Sequence, residues 1–416
     1  MLRHREFRLL FAGQAFSVLG DRLVTVAMPF AVLSLPGGSA SDVGLVLGAN
    51  VLALGLFVLI GGVVGDRVPR QRTMLASDAV RFLVQAITAT LLLTDQATVA
   101  LLVATQFVYG AAEAFFRPAL VGLIPQVVQR GEEQAANALI TLSMNVSMVL
   151  GPTLAGVLVA TTGAGATVAF DALTFVISGL TLMRLRPRAA APSEGETFRQ
   201  QLVGGFVEVR TRSWVVATLV LFSAYHALVL PGIYVLGPKI AEDERGGAGA
   251  WGIISSGFGL GAVLGSLIAL RWRPRHPGVA IALLLTVASA QALIVSSPLP
   301  TLAVAALEAV TGVCVSIGFT LWETALQQHI PSGAQSRVSA FDHLVSVALM
   351  PVGYAVMGPL AETLGYREAG LLATVVSAAV GLAVVAVPGQ RRLTAVPVPG
   401  RSRSDSGERD EVDQVV

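Results

Sequence analysis

The chain has 416 residues, of which 54% are hydrophobic and only 13% charged, against about 25% charged in a typical soluble domain. That composition excludes an ordinary soluble globular protein and points to segments buried in a bilayer. The formal net charge of +2 says little, because in a membrane protein the placement of charge carries the information.

A membrane-spanning helix needs about 20 apolar residues. Twelve segments qualify: 9–35, 43–65, 73–94, 97–117, 136–161, 165–186, 214–238, 250–271, 277–296, 300–322, 338–361 and 367–388. The first, Leu9 to Leu35, is too long for the apolar core of a cleaved signal and is expected to stay as span one. With the amino terminus placed in the cytoplasm and sides alternated, all but five of the 28 basic residues fall in cytoplasmic segments. The exceptions are Lys239, Arg245 and Arg367 in outer loops, and Arg22 and Arg81 inside spans. This asymmetry obeys the positive-inside rule and predicts both termini in the cytoplasm.

The predicted organisation is a six-span half over 1–186, a cytoplasmic linker over 187–213, a second six-span half over 214–388 and a disordered tail over 389–416. In the linker, Ser193-x-x-Glu196 reads as a capping box, and Phe198, Leu202 and Phe206 recur on one face of an amphipathic interfacial helix. The tail is charged and poor in aromatics. Three pairs of segments recur in the same order. Ile124-Pro125 matches Ile330-Pro331, Gly151-Pro152 matches Gly358-Pro359, and Arg67-x-Pro69-Arg70 is echoed by Arg271-x-Arg273-Pro274-Arg275. An offset of about 205 residues suggests a parallel duplication, and transporters often place their site at such a repeat interface.

Between spans two and three the chain reads Gly62-Val-Val-Gly65-Asp66-Arg67-Val-Pro69-Arg70-Gln71-Arg72. This resembles the G-x-x-x-D-R-x-G-R-R signature of the major facilitator superfamily, with Pro69 and Gln71 departing from it. The resemblance implies a latch between halves in which Gly62, Asp66, Arg67 and Arg70 gate the cytoplasmic side. Asp66 would then face the start of span eleven and the cationic end of span four at Arg117. Topology-setting charge at a helix end is the plainer alternative. The second-half echo has Leu270 opposite Asp66 and so lacks the acid. In span five, Ala138, Ser147, Gly151-Pro152 and Ala155-Gly156 have the spacing of an exporter-associated motif of the superfamily, with Gly151, Pro152 and Gly156 setting the helix bend. Phe16 to Asp21, Phe115 to Ala119 and Phe170 to Phe175 look like the enterobactin-exporter and macrolide-efflux branch. That branch implies proton-driven export of siderophores, antibiotics or other amphipathic natural products.

Ionisable groups inside spans are functional candidates because each costs several kcal/mol unless paired or wet. Asp21 lies about 13 residues, or roughly 20 Å, into span one, near the midplane, and is either a proton or substrate site or a fixed ion pair. Arg22 points about 100° away from it. Asp171 and Glu308 are further coupling candidates or satisfied interhelical contacts. Glu113 and Glu323 lie nearer the cytoplasmic ends of spans four and ten; Glu323 falls opposite Arg117 in the repeat alignment, and inner-gate pairing rather than proton carriage is expected of both. Gln14, Asn50, Gln106, Tyr109, Asn145, Tyr225, His226 and Trp322 are candidates for a wet cavity or for interhelical hydrogen bonds. Related drug antiporters carry an arginine in span four a few residues before a glycine; here Gln106 precedes Gly110, so that arginine is missing.

Several functions are disfavoured. The only lysine, Lys239, follows Pro238, so no Walker A loop exists and no ATP binding by this chain is expected. Zinc-protease and serine-hydrolase motifs are missing, and the scattered arginines give no nucleic-acid surface. Gly257-x-Gly259-x-Gly261 lies in an apolar span, where close helix packing explains it. The single Cys314 excludes an intrachain disulfide. The expectation is an all-α membrane protein with the major-facilitator fold: twelve transmembrane helices in two six-helix bundles around a central cavity. It would be a monomeric, non-enzymatic secondary transporter of the bacterial plasma membrane, without cofactor or metal, exporting an amphipathic small molecule by proton antiport. An uptake symporter and a non-transporting sensor, scaffold or enzyme are the alternatives.

Overall fold

The computed structural model describes residues 3–129, 131–188 and 198–394. Among the described residues the regular structure is helical throughout. Eleven helices are long and apolar enough to cross a membrane. One of them, Glu133–Met183, runs for 51 residues, which at 1.5 Å per residue is about 76 Å against a hydrocarbon thickness of about 30 Å. Gly163 interrupts it with φ 87°, a left-handed conformation that costs glycine little. This element is therefore spans five and six, and the chain makes the twelve passages read from its sequence. An even number of passages puts both described ends on one side, here the terminal side.

Spans one to four are Arg5–Leu33, Ala40–Arg67, Arg70–Leu93 and Val99–Val127; seven to ten are Ser213–Glu244, Ala248–Ala269, Pro277–Val295 and Thr301–His329. Span eleven is Ser332–Ala348 continued by Met350–Leu364, and span twelve is Tyr366–Ala386. Span two starts at a capping box in which Ser39 and Asp42 satisfy each other's backbone N–H groups. Spans four and ten extend past their expected ends at 117 and 322, because the hydrogen-bonded ladder outlasts the apolar stretch. Ile124-Pro125 consequently lies inside span four rather than after it, whereas Ile330-Pro331 follows span ten. Span seven contains two widened π turns, Tyr225–Val229 and Gly232–Leu236, on either side of Pro231, a residue that cannot supply the ladder its N–H.

The linker helix forms over Phe198–Arg210; Ser193 and Glu196, read as its cap, lie outside the described residues. Gly205 rests against the Arg337 backbone, and the Phe206 ring sits 5.9 Å from that of Phe341. The expected tail starts later than residue 389. Pro388–Arg392 form another helical turn, and the buried Gln390 donates to the Trp214 carbonyl at 2.9 Å and to Thr218 at 2.7 Å.

The two halves meet through small residues on the side away from the termini. Gly44 of span two approaches the Tyr354 backbone of span eleven, and Ser41 donates to Glu362 through backbone N–H (3.0 Å) and hydroxyl (2.7 Å). Span five meets span eight where Gly252 abuts the Pro152 carbonyl and Gly259 the Met148 carbonyl, with Thr153 and Ser256 hydroxyls 2.6 Å apart. Gly257 and Gly261 face the Ala305 and Ala309 carbonyls of span ten, so the glycine run of span eight serves close packing as expected. Such contacts replace the hydrophobic drive that lipid does not provide. Gly261→Ala should lower the unfolding free energy by about 1–3 kcal/mol, because its Cβ would strike backbone. Gly62→Ala, where a Cβ meets open space, should leave it unchanged or slightly higher; thermal unfolding of the purified variants compares the two.

Candidate functional site

Span one carries Asp21 and Arg22 into the middle of the bundle and, through the 100° helical step, turns them toward different neighbours. Asp21 faces spans three and four. Its Oδ1 accepts from the Tyr109 hydroxyl at 2.6 Å and lies 3.9 Å from Arg81 Nη1. The Arg81 guanidinium donates from Nη2 to Asp78 Oδ1 at 2.5 Å, and the other Asp78 oxygen accepts from Ser178 at 2.7 Å. The Arg81 Cζ lies over the rings of Phe116 and Phe175, 4.2 and 4.4 Å from their centroids, a geometry in which ring quadrupoles attract the cation. Asp171 of span six accepts from Gln85 at 2.7 Å and packs against Gly20. Two carboxylates, Asp21 and Asp78, thus lie within ion-pair distance of one guanidinium, and a third, Asp171, stands nearby on Gln85. Asp78 and Asp171 are buried, whereas the Asp21 side chain keeps 35% exposure, so Asp21 is the member that water reaches.

The exposed side of Asp21 faces a cavity of about 320 Å³ between the halves. Gln14, Asn50, Gln106 and Tyr109 line it from the first half, Tyr234 and Tyr354 from the second. The wall continues past Glu113, Arg117 and Leu120, toward the terminal side, while the small-residue contacts close the other end. A smaller cavity of about 70 Å³ shares Arg22, Thr25 and Tyr234 with it and is lined beyond them by residues of spans seven to ten. There Glu308 accepts from Gln291 at 2.8 Å and from Thr311 at 3.2 Å, and Tyr225 donates to the same Gln291 side chain.

The remaining sequence candidates spread more widely. Arg70 donates to the Gly122 carbonyl of span four, and Arg67 is exposed. The side chain of Asp66 lies outside the described part of the structure. The close approach expected at Gly62 is made by Gly61, which abuts the Ala114 carbonyl, while Gly62 faces open space; one residue along a helix is about 100° of rotation. Arg117 pairs with Glu113 within span four at 2.6 Å, and Glu323 is exposed and makes no ion pair with it. Gly151 makes room for the Arg22 stem, and Gly156 packs against span eight beside Pro152. Asn145 faces a recess between spans five, eight and ten. His226 Nδ1 lies 2.7 Å from the Phe222 carbonyl and Trp322 Nε1 donates to Asp342 at 2.9 Å, both beside a separate recess of the second half.

Reading the sequence missed Asp78, Gln85, Ser178, Gln291 and Tyr234. The available signal was Asp78 three residues before Arg81, a helical spacing that lets the two pair. Arg81 also supplies a guanidinium beside Tyr109 of span four, the helix that lacks the arginine found in related antiporters.

A family model described as a transmembrane secretion effector, within the major facilitator superfamily, matches residues 1–402. The chain belongs to that family. As a member of the major facilitator superfamily it is a membrane transporter rather than an enzyme. Among curated relatives, the multidrug efflux pump Tap of Mycolicibacterium fortuitum is 26% identical over 94% of this chain and 97% of its own length. The enterobactin exporter EntS of Shigella boydii is also 26% identical, over 86% and 85%. In fold the chain is similar to the nucleoside transporter NupG, with a TM-score of 0.73 at 12% identity over 92% of this chain and 98% of that one. A bacterial homologue of the lysosomal transporter Spinster gives 0.67 at 16% identity over 95% and 99%.

Removing one partner of a buried ion pair strands the other charge, at about 3–5 kcal/mol. Arg81→Gln should therefore destabilise the purified protein by that order, and Arg81→Gln/Asp78→Asn should recover part of the loss in the same thermal measurement.

Proposed function

We propose that this transporter is a proton-driven exporter of amphipathic small molecules in the bacterial plasma membrane, working as a monomer by alternating access. Both termini would be cytoplasmic, so the cavity would be open to the cytoplasm in the conformation described. The halves over 1–186 and 214–388, joined by the linker over 187–213, would rock about the central cavity without ATP or nucleic acid as partner. The observation that carries the reading is the buried network in which Asp21 and Asp78 face Arg81 while Asp171 stands beside span one on Gln85, with Asp21 on the cavity wall. Three ionised carboxylates exceed one guanidinium in charge, and membrane depth penalises the surplus. A proton arriving from the cavity relieves it.

In this scheme a proton on Asp21 weakens its attraction to Arg81 and alters its bond with Tyr109, which changes how span one sits against spans three and four. Asp78 stays with Arg81 and Ser178 and keeps the guanidinium charged in place. The names of the relatives, a multidrug efflux pump and an enterobactin exporter, support outward movement and an amphipathic solute. The branch of span five at Gly151-Pro152, seated on span eight, supplies the flexing contact between halves.

Solute uptake into inside-out vesicles under an imposed acid-inside gradient tests the proposal, with a labelled siderophore, a macrolide and a cationic dye as probes. Gradient-dependent uptake of at least one probe is expected, with Asp21→Asn lowering the gradient-dependent part by at least about tenfold, the lower end of what a positioned proton-transfer group contributes. Undiminished coupling in Asp21→Asn would remove Asp21 as the carrier, and uptake only with the opposite gradient would favour a symporter.

A further inference from the structure

Arginines at membrane depth need a counter-charge or water. Arg81 has Asp78 and Asp21, and Arg117 has Glu113. Arg22 differs: among the described residues no carboxylate lies within ion-pair distance of it, and its half-buried side chain borders both central cavities. The site around it is built for the guanidinium. A Cβ on Gly151 would collide with the Arg22 stem, so span five yields space there. Tyr234, brought inward by the π turn over Gly232–Leu236, lines the same two cavities from the other half. At the far wall of the smaller one, Glu308 is 2% exposed and its Oε1 has no hydrogen-bond partner among the described residues. The larger cavity offers apolar wall from Val18, Leu47 and Leu54.

Resting on the exporter reading above, we infer that Arg22 is a binding residue that selects amphipathic solutes carrying an acidic group. The anion docks on the Arg22 guanidinium, with the Tyr234 hydroxyl able to donate beside it, and the apolar body lies along the larger cavity. A hydroxyl or N–H on the solute would satisfy the free Glu308 oxygen. The solute's anion thereby supplies the counter-charge that the protein withholds from Arg22, so binding the acid replaces hydration of the guanidinium by a charge-assisted hydrogen bond. A neutral analogue gains the apolar contact alone, and a cation finds no counter-charge at Arg22.

The test is binding to the full-length protein in nanodiscs at neutral pH, with empty nanodiscs subtracted. The probes are dansylglycine (an anion), its methyl ester (neutral) and dansylcadaverine (a cation). Dansylglycine should bind at least about tenfold more tightly than its ester, the ratio expected of one charge-assisted hydrogen bond. Arg22→Gln should bring the ratio close to one, and Arg22→Lys should keep part of it. Thermal unfolding identifies any variant that fails to fold; native protein and Arg22→Lys then still decide the matter. Equal binding of acid and ester by the native protein, preference for the cation, or a ratio that persists in folded Arg22→Gln would each overturn the inference. None of these outcomes bears on gradient-driven uptake, which decides the exporter reading separately.

Discussion

The Arg81 guanidinium organises the first half of the molecule. It is fully buried, and a charge in that position persists only with paired carboxylates. Meeting that requirement draws four helices to one point. Span three supplies Asp78 as well as Arg81, span one Asp21, span four Tyr109 and Phe116, and span six Phe175 and Ser178. The arrangement fixes the order of the helices around the guanidinium and sets one carboxylate, Asp21, on the cavity wall. In the proposed scheme, structural need and coupling chemistry share the same residues. A substitution there disturbs both, which is why stability and transport have to be measured side by side.

The second constraint is the absence of a hydrophobic drive between helices in lipid. The halves hold together on the side away from the termini by glycine against carbonyl, at Gly44, Gly252 and Gly259, and by a few hydroxyl and carboxylate bonds. Beside these polar contacts one buried apolar cluster runs across both halves, from Val26, Met28 and Phe30 of span one to Val235, Trp251 and Met357. Within the second half, Trp214, Trp322, Phe222 and Phe319 pack into one aromatic cluster.

Much of this was legible in the residues. Twelve passages followed from apolar length and from arginine placement, and Asp21, Asp171 and Glu308 stood out as ionisable groups in apolar surroundings. What remained hidden depended on rotation and partnership rather than on composition. Whether Gly61 or Gly62 meets span four is a matter of one residue's rotation. The Asp78–Arg81 pair had a readable spacing, but the contacts of Arg81 with Phe116 and Phe175 join three separate helices. Tyr234 reaches the cavity because span seven widens around Pro231, and a 3.6-residue period does not register that widening. Spans four and ten outran their apolar stretches because a helix ends where its backbone bonding ends, and so Arg117 found its partner within its own helix.

The central claim is that two rigid halves exchange their open and closed ends while protons bind a carboxylate cluster between them. Spin-label distances in the full-length protein, with Cys314 replaced by Ala, test this most directly. One pair, Leu45→Cys and Val356→Cys, flanks the closed contact between spans two and eleven; the other, Gln129→Cys and Gln328→Cys, spans the terminal side between spans four and ten. On changing pH across the range in which transport is coupled, one distance should lengthen while the other shortens, and Asp21→Asn should hold both in one state. Distances that stay fixed, or that lengthen and shorten together, would contradict the account.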